Sequence, residues 1–237
     1  MLPWDFILIL LVLGIVVPWR GTVRIKRLLG QPALTGRQRM LLYGSTIGFQ
    51  WLMVAIVLWR SLARNLSPLE LGFTLGDPWR TALIALSLSL VLAANQFVGL
   101  SKAAQIPVGE RGFLFKFTEK IMPRAPTEKL AFAALACTAG LSEEFLYRGF
   151  VFVVFARLFV ESRSPVWAAA IASSCWFAIG HLYQGRRGII TTFVVGMIFV
   201  SVRIWSRSLL PPMVAHMCVD LIAGLYASKL LGPELQK

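Results

Sequence analysis

The sequence predicts an all-α fold: a polytopic transmembrane helical bundle of about seven hydrophobic segments. Of its 237 residues, 57% are hydrophobic and the mean hydropathy is +0.70. A soluble domain is nearer 45–50% apolar. The apolar residues are gathered into runs, and the polar stretches between them carry the lysines and arginines. A chain that leaves water must satisfy its own backbone, so runs of this kind are read as membrane helices. The net charge of +13 belongs to the connections, where it sets topology and attracts anionic headgroups. The predicted partner is therefore a lipid bilayer and not a nucleic acid.

The first run is Phe6–Val17. Met1-Leu2-Pro3-Trp4-Asp5 before it has no basic residue, and Pro18-Trp19-Arg20 after it is a poor cleavage site. This is the pattern of a retained helix rather than a secretory signal. The second and third runs are Leu41–Trp59 and Thr81–Leu100. The fourth, Leu130–Phe159, follows Pro126-Thr127, which places Thr127 as its cap. The fifth, Val166–Tyr183, follows Ser164-Pro165, an N-cap and a first-turn proline. The sixth, Ile189–Val202, has 14 residues, short for a span. The seventh, Pro211–Leu231, is opened by Ser208 ahead of Pro211-Pro212.

Two connections have character of their own. Ser67–Pro78 is rich in turn residues and predicts an interfacial linker. Gly112–Ile121 mixes aromatic and basic residues and predicts an interfacial amphipathic segment or an ordinary loop. The stretches 20–39 and 102–129 carry six lysines and arginines each, against three in 60–80. If all seven runs span, the N-terminus is outside and the C-terminus inside. There is no internal repeat, so residues 1–237 read as a single integral domain. Cys137, Cys175 and Cys218 all fall in apolar runs and fit no zinc or disulfide spacing, which predicts small buried residues.

The chemistry is concentrated in Leu141-Ser142-Glu143-Glu144-Phe145-Leu146-Tyr147-Arg148-Gly149-Phe150, inside the fourth run. A charge at the bilayer centre costs roughly 2.5–3.5 kcal/mol on insertion scales, so such groups mark function. Glu144 and Arg148 are i and i+4 and share a helical face. Glu143 lies about 100° around the helix and is left free to react. A purely structural ion pair is the plain alternative. The chain's two histidines, His181 and His216, also lie in apolar runs, and Asp220 is four residues after His216. His216 lies near a helix start, where the dipole favours a neutral ring. Gln50, Asn95 and Gln96 are polar enough to bond across helices.

These residues admit three schemes. Glu143 activates water, with the histidines polarising it or stabilising an oxyanion. Alternatively, Glu143, His181 and His216 ligate zinc or another divalent metal. In the third, the acids and histidines relay protons in a transporter. No serine sits in a nucleophile elbow and neither Cys175 nor Cys218 is activated by its neighbours in sequence.

Glu143-Glu144-x-x-x-Arg148, Phe177-x-x-x-His181 and His216-x-x-x-Asp220, in that order on successive apolar segments, resemble the CPBP family. That family includes type II CAAX prenyl proteases and Abi-type bacteriocin-processing and self-immunity proteins. The resemblance covers Thr127–Leu231, which it marks as the catalytic half. It implies an intramembrane endopeptidase of the cell membrane acting on a peptide or membrane-associated protein, prenylated in CAAX-processing relatives. It implies Glu143 as the water-activating group, with Glu144 and Arg148 shaping the site. His181 would assist Glu143, and His216 with the residue four later would stabilise the oxyanion or complete a metal site. The family commonly has asparagine where this chain has Asp220, and an ionised aspartate cannot donate to an oxyanion. Both metallo- and metal-free glutamate mechanisms are compatible with the pattern. A non-catalytic scaffold or immunity protein would retain the same residues. The transporter fares worse, because the first three runs hold almost no ionisable or helix-breaking features.

One tension is geometric. His181 ends the fifth run and His216 begins the seventh, so in parallel helices their depths differ by roughly 15 Å. The charge-based orientation also sits awkwardly with a site open to the cytosol.

Overall fold

The computed structural model describes residues 2–31, 33–107 and 112–230. Leu231, the last residue of the seventh predicted run, lies outside them. Among the described residues there are helices and turns and no strand. The helices are α1 (Trp4–Leu29), α2 (Gly36–Ala63), α3 (Pro78–Ala104), α4 (Phe113–Ile121), α5 (Pro126–Leu158), α6 (Pro165–Gly180), α7 (Gly185–Ser206) and α8 (Leu210–Leu230). Each of the seven apolar runs has its own helix, although the fifth, Val166–Tyr183, continues past the end of α6 at Gly180, and α4 is the amphipathic segment.

Five helices are long and apolar enough to cross a membrane: α1, α2, α3, α5 and Leu182–Ser206, which holds α7. The sixth run, expected to be short, extends to 22 helical residues. The short apolar helix is α6, with 16 residues, about 24 Å long. The difference arises at the ends of α7, where Arg186, Arg187 and Arg203 continue the helix beyond the apolar run. Hydropathy marks where lipid contact stops, not where hydrogen bonding stops.

Helix starts follow their sequence signals in part. Thr35 and Gln38 form a reciprocal capping box on α2, and Asp77 accepts from the N–H groups of Trp79 and Arg80 on α3. Ser208 Oγ accepts from the N–H of Leu210, as expected for the start of α8. Pro165 opens α6, but the Ser164 hydroxyl makes no capping bond. Thr127 does not cap α5, because helix begins one residue earlier, at Pro126. No side chain caps its start, and Glu128 in the first turn has other partners. It accepts from the Arg124 N–H at 2.8 Å and takes a two-pronged ion pair from Arg39 of α2, both contacts 2.9 Å.

α5 is the axis of the bundle. In its most apolar window 56% of residues are buried, against 11–28% for the other four spanning helices. Phe145–Phe155 pack with Phe6, Leu10 and Leu13 of α1, Val57 of α2, Ala169 and Ala170 of α6, and Val200 of α7. The outer helices turn apolar residues outward, as Leu83, Leu86, Leu90 and Val91 do on α3, which suits a lipid-facing surface. α8 comes so close to α5 at Gly140 that a Cβ there would stand 2.8 Å from the Met217 nitrogen and 3.0 Å from the Met213 carbonyl. The cysteines do not all follow the expectation of burial: Cys175 is exposed, and Cys137 and Cys218 are half-buried.

The two ends of the bundle differ. At one, Asp5 of α1 takes Arg60 and Arg64 of α2, and Arg80 of α3 stacks on Trp205 of α7. The 67–73 turn is tied there too. Glu70 pairs with Arg157 at 2.6 Å and its carbonyl accepts from Arg203. Gly72, at φ +88°, offers its carbonyl to the Leu209 N–H. Trp4, Trp59, Trp79 and Trp205 are exposed here, the placement expected of an interfacial aromatic belt. At the other end Lys120 of α4 donates to the Leu28 and Leu29 carbonyls that end α1 and to the Gln31 carbonyl just beyond it, and Tyr43 of α2 donates to the Ile121 carbonyl. Tyr183, from the connection between α6 and α7, meets Phe117 of α4 there.

Candidate active site

The site forms where α5 changes its winding. Pro126–Glu143 is α-helical and Glu144–Val151 is π-helical, a form that recurs at functional sites. The change falls between the two glutamates. Glu144 is fully buried, and its Oε1 receives both Arg148 Nη1 at 2.9 Å and His216 Nδ1 at 2.8 Å. Arg148 is itself buried, with its guanidinium 4.0 Å from the Phe177 ring centroid and 5.4 Å from that of Phe199. Two aromatic faces and a carboxylate thus offset the cost of taking this cation out of water.

Glu143 lives in a different place. Its side chain keeps 19% of its surface accessible. Oε1 accepts from Gln50 Nε2 of α2 at 2.9 Å, and Oε2 lies 3.9 Å from His181 Nε2. His181 Nδ1 lies 2.9 Å from the Phe177 carbonyl. A carbonyl only accepts, so Nδ1 carries the proton, and in the neutral ring Nε2 is an acceptor turned towards Glu143.

His216 is flanked on both sides, with Glu144 at Nδ1 and Asp220 Oδ2 3.6 Å from Nε2. Two carboxylates thus face this ring in addition to the dipole of α8. The expected depth difference between the histidines is not found: His181 and His216 reach adjacent glutamates of α5. Phe177 lies between the rings, its centroid 4.6 Å from that of His181 and 6.4 Å from that of His216.

All six residues singled out in the sequence, Glu143, Glu144, Arg148, His181, His216 and Asp220, belong to this one constellation. The metal set Glu143, His181 and His216 is not drawn together: among the described residues no three His, Cys, Asp or Glu side chains could hold an ion in this arrangement. Gln50 and the aromatic pair Phe177 and Phe199 complete the surroundings. Gln50 had signalled only that it could bond across helices, and nothing in the sequence tied it to Glu143.

Residues 125–222, the stretch that carries the whole constellation except Gln50, match the family described as type II CAAX prenyl endopeptidase Rce1-like. The chain belongs to this family. It is also similar to an Escherichia coli protein described as an uncharacterized 24.3 kDa protein, at 30% identity over 200 residues, covering 80% of this chain and 86% of that one. No solved structure matches. The family is one of CAAX-type intramembrane proteases, so the chain is an integral multi-pass membrane protein of a peptidase family with a peptide substrate.

Proposed function

We propose that this chain is an intramembrane endopeptidase in which Glu143 activates the water that cleaves a peptide bond. The observation that carries the reading is the split between adjacent carboxylates. Glu144 is fully buried with Arg148 and His216 both on its Oε1, while Glu143 is reachable and faces the accepting nitrogen of His181. Two acceptors 3.9 Å apart can each lie about 2.8 Å from one water and take both of its hydrogens. Its lone pairs then face a substrate carbonyl. As the oxygen attacks the carbonyl carbon, Glu143 takes one proton, and a tetrahedral oxyanion forms. Collapse breaks the C–N bond, and the proton held by Glu143 passes to the leaving amine. Glu144, held by Arg148, fixes His216 beside the site, where the ring helps to set the field around the oxyanion.

A cavity of about 260 Å³ lies between Thr22, Ile25 and Lys26 of α1 and Leu182–Gly185, the residues that directly follow His181. Tyr183 in its wall lies 5.7 Å from the His181 ring. This connection lies at the end that also holds the basic 20–39 stretch. By the positive-inside rule that end faces the cytosol, in the cell membrane, with the N-terminus outside. The substrate is a membrane-associated protein or peptide, with prenylated chains as the first class to try.

The test is cleavage of a quenched-fluorescent peptide, farnesylated and unmodified, by the purified protein in liposomes. Glu143→Gln is expected to lose at least about a hundredfold in kcat, the lower end of general-base contributions, with its thermal unfolding unchanged. Full activity in a well-folded Glu143→Gln protein would sink the reading. A chelator arm with zinc add-back separates the metal-dependent form of the chemistry from the glutamate–water form.

A further inference from the structure

The partner of Glu143 on α2 is the starting point. Gln50 Nε2 donates to Glu143 Oε1 at 2.9 Å, which fixes the orientation of the amide, because a carboxylate offers that neighbour only acceptors. Gln50 Oε1 then points away from Glu143. It is buried and has no hydrogen-bond partner among the described residues. A buried acceptor left unpaired is costly, and such groups call for an explanation. Gln50 also comes from α2, outside the residues that match the family, so it is supplied by the half of the chain that carries no motif.

We infer that Gln50 bridges enzyme and substrate: its NH2 group holds the Glu143 carboxylate in place, and its Oε1 accepts a hydrogen bond from a main-chain N–H of the bound peptide. An extended peptide has such N–H groups beside its scissile carbonyl, and in a site shielded from water they need acceptors. One side chain would thus set the aim of the base and the register of the peptide together. On the other carboxylate oxygen, His181 Nε2 lies 3.9 Å from Oε2, while Gln50 donates to Oε1. The bridge rests on the water-activating role proposed for Glu143.

The experiment uses a series of quenched-fluorescent farnesylated peptides in which one amide at a time, flanking but not including the scissile bond, is replaced by an ester. Wild type, Gln50→Met, Gln50→Asn and Glu143→Gln are compared in liposomes. Gln50→Met keeps the length of the side chain and removes both hydrogen bonds. It is expected to unfold at the wild-type temperature and to lose about tenfold or more in kcat/KM (one hydrogen bond to a charged group and one to the peptide). At one ester position wild type loses activity and Gln50→Met loses nothing further. Gln50→Asn, too short to reach both partners, should behave like Gln50→Met. Wild-type kcat/KM in Gln50→Met, or equal sensitivity of wild type and Gln50→Met at every ester, overturns the bridge. Activity in Glu143→Gln instead overturns the water-activating role, so the two failures are told apart in one assay.

Discussion

His216 Nδ1 lies 2.8 Å from Oε1 of Glu144, so the second histidine serves the buried carboxylate and leaves Glu143 to His181. The adjacent acids are thereby divided between two tasks. One is the anchor of a buried charge network, and the other keeps a lone-pair face towards the space where a substrate would lie.

That network makes Arg148 a structural residue first. Arg148→Ala removes the cation and leaves Glu144, fully buried, without its ion-pair partner. Breaking a buried pair costs about 3–5 kcal/mol. Arg148→Ala should therefore lower the unfolding temperature in detergent sharply, while Glu143→Gln should not. Equal unfolding temperatures for the two variants would contradict the division between the acids.

Gly140 sets the distance between α5 and α8, and so the reach from His216 to Glu144. A Cβ there would stand 2.5 Å from Met217 Cγ and 2.8 Å from the Met217 nitrogen. Backbone cannot swing aside as a side chain can. Overpacking costs about 1–3 kcal/mol, and Gly140→Leu should cost at least that much and lower cleavage with it. An added Cys pair across this contact would report the separation by its crosslinking rate, expected to fall in the variant.

Asp220 stands where the family commonly has asparagine. At 3.6 Å from His216 Nε2 it is beyond hydrogen-bond length, so little direct bonding is lost on neutralising it. Asp220→Asn should keep kcat within about threefold of wild type, a change of under 1 kcal/mol in barrier. A loss of a hundredfold would assign the charge itself to the reaction.

Glu70 gives the 67–73 turn a pH dependence. The Ser67 N–H, the Arg157 guanidinium and the Ser67 hydroxyl hold its carboxyl below the ordinary 4.5. A depressed acid contributes stability that is present above its unfolded value and lost as pH falls through its folded value. Hydrogen-exchange protection of residues 67–73 should decline below about pH 4.5. Glu70→Gln should show the lower protection at every pH and no such decline.

Much of this was legible in the chain itself. Glu144 and Arg148 meet because i and i+4 share a face, which is local geometry and survives even in the π-helical stretch. The apolar runs became helices because a backbone in hydrocarbon has to bond to itself. The expectation failed where it relied on run length, since 14 apolar residues sit within the 22 of α7 and the short helix is α6. It failed again at Thr127, which lies inside α5, because Pro126 opens the helix and no side chain caps it.

The sequence by itself determined that the chain is helical, that it belongs in a membrane, and that two glutamates, an arginine, two histidines and an aspartate share its apolar interior. Only the tertiary structure decided which glutamate is sealed and which is open, which histidine serves each, and that Gln50 touches the reactive one. The reason is physical. A periodic pattern says which residues share a face, but the environment of that face is made by neighbouring helices. Phe177, Phe199 and Gln50 come from α6, α7 and α2, and no spacing along α5 encodes their arrival.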